Sequence, residues 1–236
     1  MRQIVFDLET TGFRFDEGHR IVEIGAVELM RGAVTGKNFH AYVNPERDMP
    51  DGAYQVHGLS ADFLKDFPTF ADAAVAPAFL EFLGEAELIA HNGAAFDLPF
   101  LNAELEAAGF NALQNSLKDT LLMARRMSPG SPASLDALCA RFGVDRQERD
   151  RDGHGALLDS KLLAAVYIEL TGGAQAGLDF TSEEERAVAE GRVKYVAPQR
   201  PTPLASFVTD EEKAAHDAFV AEIGENAIWL KHHNAS

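Results

Sequence analysis

The chain has 236 residues, 46% of them apolar, which is enough for one full domain core and a smaller appendage. A net charge of −16 excludes a broad basic surface that grips nucleic acid unaided, so any nucleic-acid substrate has to be delivered to it. No apolar run approaches the roughly 20 residues of a membrane helix, the start MRQIVFDLETTG turns acidic too early for a secretory signal, and the single Cys139 rules out an internal disulfide and fits a reducing cytoplasm.

Residues 3–8, 20–30 and 33–43 read as strands, rich in Ile, Val, Phe and Tyr, the last two joined by a turn at Arg31-Gly32. Three successive strands predict an antiparallel meander. Thr69 to Leu83 follows as a helix with Pro77 in its middle, then Glu87 to His91 as a buried strand. Helices are expected over residues 95–108, stopped by Gly109, over 120–127, and over 134–142, capped by Ser134, closed by Gly143 and burying Cys139. A last long helix covers about 156–171 and ends at Gly172-Gly173. Strands first and helices after predict an α/β chain, with a mixed sheet covered by helices. The segment GGAQAGLDFTSEEERAVAEG is small, acidic and poorly periodic and reads as a linker, while residues 203–231 regain apolar side chains too few for an independent core.

Four carboxylates and a histidine carry the chemistry. Asp7 and Glu9 lie two apart on the first strand, so they share a face while Phe6 and Leu8 turn into packing. Thr10-Thr11-Gly12 follows, a hydroxyl-bearing turn through which backbone can approach a nucleotide. Asp97 opens a helix just after His91-Asn92-Gly93. His154 and Asp159 are five apart, about 140° on a regular helix, so they share a face only if His154 lies outside it; Gly153 and Gly155 place it on a loop. Acids held among apolar residues repel unless a cation lies between them, and hard divalent cations take oxygen ligands. That set points to two-metal phosphoryl chemistry with the histidine as base.

The five residues, in the order Asp-x-Glu, Asp and His-x4-Asp, resemble the DEDDh family of 3′→5′ exonucleases. The resemblance implies a ribonuclease-H-like fold with a five-stranded mixed sheet over residues 1–172 and a flexible C-terminal tail. Stretches such as DLETTG, VEIGAVEL, VHGL, HNGAAFD, SLDALCARFGVD and HGALLD are similar, more closely, to the proofreading subunits of bacterial replicative DNA polymerases. That likeness implies two divalent ions, Mg2+ or Mn2+, held by Asp7, Glu9, Asp97 and Asp159, with His154 as general base. It places His57, Asn92, Thr10, Thr11 and Gly12, with Asp7, Glu9 and Asp159, against a single-stranded or frayed 3′ end of DNA. Gly52 stands where the enteric proteins carry a nucleotide-binding glutamate. Residues 173–202 would form a linker whose Gln175, Leu178 and Phe180 touch the (beta) sliding clamp. Residues 203–236 would bind the catalytic (alpha) subunit of the polymerase. A small accessory subunit is a further implied partner, no membrane is involved, and the place of work is the cytoplasmic, nucleoid-associated replisome.

Overall fold

The computed structural model describes residues 1–172 and 207–224. They fall in two compact units, divided between Asp179 and Phe180, and each is taken by itself.

In the first unit β1 (Arg2–Thr10), β2 (Ile21–Met30) and β3 (Ala33–Tyr42) form the expected antiparallel meander. The β2–β3 turn takes left-handed backbone at Arg31 (φ 53°) and Gly32 (φ 79°), the twist that a two-residue hairpin needs. Strands β4 (Glu87–Ala90) and β5 (Leu117–Asp119) add on the other side of β1, both parallel, giving the order β3-β2-β1-β4-β5. The mixed five-stranded sheet is therefore present.

Alternation on β1 sorts its side chains. Ile4, Phe6 and Leu8 enter one core with Phe79, Leu83, Phe100 and Leu101. Val5 enters another, with Ile89, Leu163 and Tyr167. The helices of this unit are α1 (Asp51–His57), α2 (Ala61–Leu64), α3 (Ala76–Leu83), α4 (Asp97–Ala107), α5 (Thr120–Met127), α6 (Leu135–Phe142), α7 (Gln147–Asp152) and α8 (Ala156–Leu170). Helix α8 is apolar on two sides: Leu163, Ala164 and Tyr167 meet the sheet, while Leu162, Val166 and Leu170 meet Leu138 and Cys139 of α6. Burial of Cys139 agrees with its reading as a structural thiol.

Several expectations need correction. The helix expected over Thr69 to Leu83 is confined to Ala76–Leu83, because Pro77 sits in its first turn, where no backbone donor is needed, instead of in its interior. Helices α1, α2 and α7 and strand β5 were not foreseen; each is shorter than the window over which periodicity can be read. Ser134 does cap α6 by accepting from the Ala137 amide, and Gly143 does close it with φ 68°.

The second unit contributes α9 (Asp210–Ile223), opened by a reciprocal cap between Thr209 and Glu212. Phe207 and Phe219 on this unit are exposed. Gln175, Leu178 and Phe180 and the expected linker lie outside the described residues. Among the described residues no helix is long and apolar enough to cross a membrane.

Candidate active site and metal centre

Three separate stretches of chain deliver the five residues to one place. Asp7 and Glu9 occupy the face of β1 that α8 covers, Asp7 half-buried and Glu9 buried. Across the ladder they pair with Gly25 and Glu23 of β2. The N-terminus of α8 rests on Gly25, whose carbonyl accepts from Ser160 Oγ at 2.9 Å. Asp159, in the first turn of α8 and 4% exposed, is thereby set over the strand.

Asp97 is the first residue of α4 and is 3% exposed. The turn that presents it passes through Asn92, left-handed at φ 63°. Asp119 fastens that turn: its carboxylate accepts the Asn92 and Ala94 amides, both at 3.2 Å, while capping α5 through the Leu121 amide at 2.9 Å. Farther along α4, Glu104 is buried against Arg20 in a two-pronged pair with both contacts at 2.8 Å, which ties the helix to the start of β2.

His154 lies in the three-residue connection between α7 and α8, outside any helix, after Gly153 turns the chain with φ 86°. Its Nδ1 stands 3.1 Å from Asp159 Oδ2. The five-residue spacing is thus resolved as the sequence required, with the histidine on a loop.

Electrostatics marks the cluster. Burial, then repulsion from Asp97, Glu9, Asp159 and Glu23, holds the Asp7 carboxyl well above its ordinary value. Glu9 is pushed up to about 8 by burial and by Asp159 and Glu23, against the pull of Arg149. Asp97 rises to about 7 through burial, opposed by its own amide and that of Leu8. Asp159 is also raised, burial outweighing Arg149 and His154. Ligand atoms of Glu9, His154 and Asp159 all lie within 4.8 Å of one another. Oxygen donors that are buried, mutually repelling and lacking enough compensating charge fit a divalent cation.

Beside them is a cleft of about 490 Å³, walled by Thr10, Gly12, Phe13, Val56, His57 and Phe96. Buried His57 accepts the Leu59 amide at Nδ1 (3.0 Å), so its Nε2 carries the proton, and that atom has no aligned partner. Burial lowers the pKa of this ring. Thr11 Oγ1 is engaged by the Arg20 amide at 3.0 Å, and Thr10 Oγ1 donates to the Gly12 carbonyl at 2.7 Å, so both hydroxyls shape the turn. A Cβ on Gly12 would lie 2.4 Å from the His19 ring, so a side chain there requires that ring to move. Asn92 is exposed but does not line this cleft, whereas Gly52 lines it and faces open space on α1.

Four residues of the site escaped the sequence reading: Arg149 and Asp136, the exposed Phe13, and Glu23, which is buried against His40 Nε2 at 2.7 Å. A signal existed for Glu23, one of two charges inside the largely apolar IVEIGAVEL and two residues from Gly25.

Residues 4–167 match the family model described as Exonuclease. The chain is 46% identical over 233 residues to the DNA polymerase III subunit epsilon of Rickettsia felis, covering 96% of this chain and 99% of that protein. It is 42% identical over 241 residues to the Escherichia coli protein of that name, covering 97% of each. Among solved structures, Exonuclease X with 5′-overhanging duplex DNA shares the fold, with a TM-score of 0.57 at 24% identity over 72% of this chain and 90% of that one. Escherichia coli Exonuclease I with an oligonucleotide does so with a TM-score of 0.62 at 16% identity, over 72% and 41%. With that match spanning most of the first unit, the chain belongs to the exonuclease family, among the relatives named DNA polymerase III subunit epsilon.

Proposed function

We propose that this chain is the proofreading 3′→5′ exonuclease of a bacterial DNA polymerase III, hydrolysing mismatched 3′-terminal nucleotides. The observation that carries the reading is the convergence of Asp7, Glu9, Asp97, Asp159 and His154 beside a cleft of nucleotide size. Asp7 would bridge two Mg2+ or Mn2+ ions, with Glu9 and Asp159 completing one site and Asp97 supporting the other. Bound there, the ions would stabilise the attacking and leaving oxygens of an in-line displacement.

The chain's own groups do the rest. With Asp159 Oδ2 3.1 Å from His154 Nδ1, a proton carried on that nitrogen would leave Nε2 to accept one from the attacking water. The terminal phosphodiester opens, the nucleotide leaves with a 5′-phosphate, and the shortened strand keeps its 3′-hydroxyl. His57 Nε2–H, directed at the Thr10 backbone without an aligned hydrogen bond, would contact the terminal nucleotide. Thr10, Thr11 and Gly12 offer backbone beside it. A frayed end costs less unpairing to enter such a cleft than a paired one, which selects mismatches.

Gln175, Leu178 and Phe180 would bind the sliding clamp and residues 203–236 the polymerase alpha subunit. Tethering of this kind raises effective concentration at the primer end to roughly millimolar and offsets the repulsion between DNA and an acidic chain. The test is digestion of 5′-labelled single-stranded DNA and RNA by the full chain with Mg2+, Mn2+ or a chelator. DNA shortened one nucleotide at a time, only with metal, is expected. Shortening of RNA alone would reassign the chain as an RNA trimmer.

A further inference from the structure

A buried arginine stands inside the proposed site. Arg149 belongs to α7, whose position is set from α6: Asp136 pairs with Arg146 at 3.2 Å and also with Arg149. From that anchor the guanidinium reaches the two residues that matter most. Its Nε lies 2.6 Å from Asp159 Oδ1 and its Nη2 lies 3.1 Å from Oδ2. The same Nη2 stands 2.8 Å from His154 Nδ1 and 3.2 Å from Nε2. That amino group is thus in contact with His154 and Asp159 together.

The contact with Asp159 is close but poorly aligned. Arg149 Nε and Asp159 Oδ1 both lack an aligned hydrogen bond despite their proximity. A parallel fork, the strong geometry for this pair, is therefore not what holds them; charge is. Arginine keeps its proton in proteins, so it cannot act as the acid or base. Arg149 touches Asp159, one of the four carboxylates proposed as ligands, and His154, the proposed base. A divalent ion arriving there meets a like charge already in place.

We propose that Arg149 is a positioning residue: anchored on Asp136, it clamps His154 to Asp159 and supplies the positive charge there until a divalent cation takes its place. Metal affinity is thereby lowered, and the base is held in position before the metal arrives. This inference rests on the metal-dependent reading of the site, so its test reads metal binding directly, without DNA.

Mn2+ binding to the full chain is measured by electron paramagnetic resonance for wild type, Arg149→Met and Arg149→Lys. Removing the charge in Arg149→Met should tighten the first Mn2+ by about tenfold. Arg149→Lys, which keeps the charge but loses the planar guanidinium, should bind Mn2+ within about twofold of wild type. Unchanged or weaker Mn2+ binding in Arg149→Met overturns the proposal. So does Arg149→Lys binding as tightly as Arg149→Met, which would assign the effect to shape instead of charge. A wild-type chain that binds no Mn2+ overturns the metal-dependent reading itself, a separate result.

Discussion

Gly25 and Ala156 meet backbone to backbone: a Cβ built on Gly25 would lie 2.1 Å from the Ala156 carbonyl carbon and from the Leu157 amide nitrogen. Gly25 also pairs with Asp7 across the β1–β2 ladder, so one glycine sets the distance between a strand carboxylate and the helix that bears Asp159. Backbone atoms cannot swing aside as a side-chain tip can, so Gly25→Ala has to push α8 off the sheet. The expected cost is about 1–3 kcal/mol of stability, the usual range for an overpacked core. Loss of hydrolysis should exceed what that instability explains, because a shift near 1 Å in a catalytic group is enough to lower a rate by about 100-fold. Calorimetry and single-turnover digestion of the same preparation would check both; a fully active Gly25→Ala chain would contradict the close approach.

The raised pKa values predict a trade between stability and activity. Asp7 is destabilised as an anion by burial and by four neighbouring carboxylates. An amide of the same shape removes that repulsion, so Asp7→Asn should make the chelator-treated protein more stable, by about 3–6 °C in unfolding midpoint. The same change deletes the proposed bridging ligand and should abolish metal-dependent hydrolysis. A lower midpoint for Asp7→Asn without metal would show that Asp7 is already compensated.

Stability should also depend on pH with a definite sign. Glu9 is raised to about 8 and Asp97 to about 7, whereas in the unfolded chain both ionise near their ordinary values of 4.5 and 3.8. Between those limits the folded metal-free state keeps protons that the unfolded state has released. Its stability therefore falls as pH rises toward 8 and levels off above it, by up to about 1.4 kcal/mol per pH unit for each group. His57 and His91, lowered by burial, act in the opposite direction only at the acid end. Unfolding of chelator-treated protein at pH 6.8 and pH 8.2 should show the decline, and saturating Mg2+ should reverse it, since ionised carboxylates are what the ion binds. A flat profile without metal would mean that the carboxylates ionise freely.

The parts of this site legible in the sequence are those whose chemistry is local. Asp7 and Glu9 sit two apart on a strand, so period two alone puts them on one face, and the structure places them there. His154 could be taken off the helix because glycines flank it, and it lies in the loop. Arg149 was illegible for the opposite reason. It stands in RQERDRDG, where nothing distinguishes a buried arginine from a solvated one, and its burial depends on Asp136, 13 residues earlier on another helix. Asp119 is similar: its hold on the Asn92 turn exists only once β4 and β5 pair. Pattern reports faces; it does not report which faces meet.

Gly52 is a position where residue choice can be reversed. It lies in the first turn of α1 with nothing within 4 Å of a Cβ, and its backbone needs no special conformation. The same helix brings Val56 and His57 to the cleft, so a longer side chain at 52 would start from the cleft rim. Asp51 lines a separate surface depression with Asp48 and Ser60, which leaves it a poor substitute for a carboxylate at 52. Gly52→Glu should stabilise α1 by about 0.5–1 kcal/mol, through helix propensity and an acidic group at the helix start. It should also add an acceptor within reach of a terminal 3′-hydroxyl, worth about 0.5–1.5 kcal/mol as a single net hydrogen bond and hence a several-fold lower KM on single-stranded DNA. The control is an oligonucleotide ending in a 3′-deoxy residue, which cannot donate that bond. Equal gains on both substrates would assign the effect to helix stability, whereas a gain confined to the 3′-hydroxyl substrate would establish the contact.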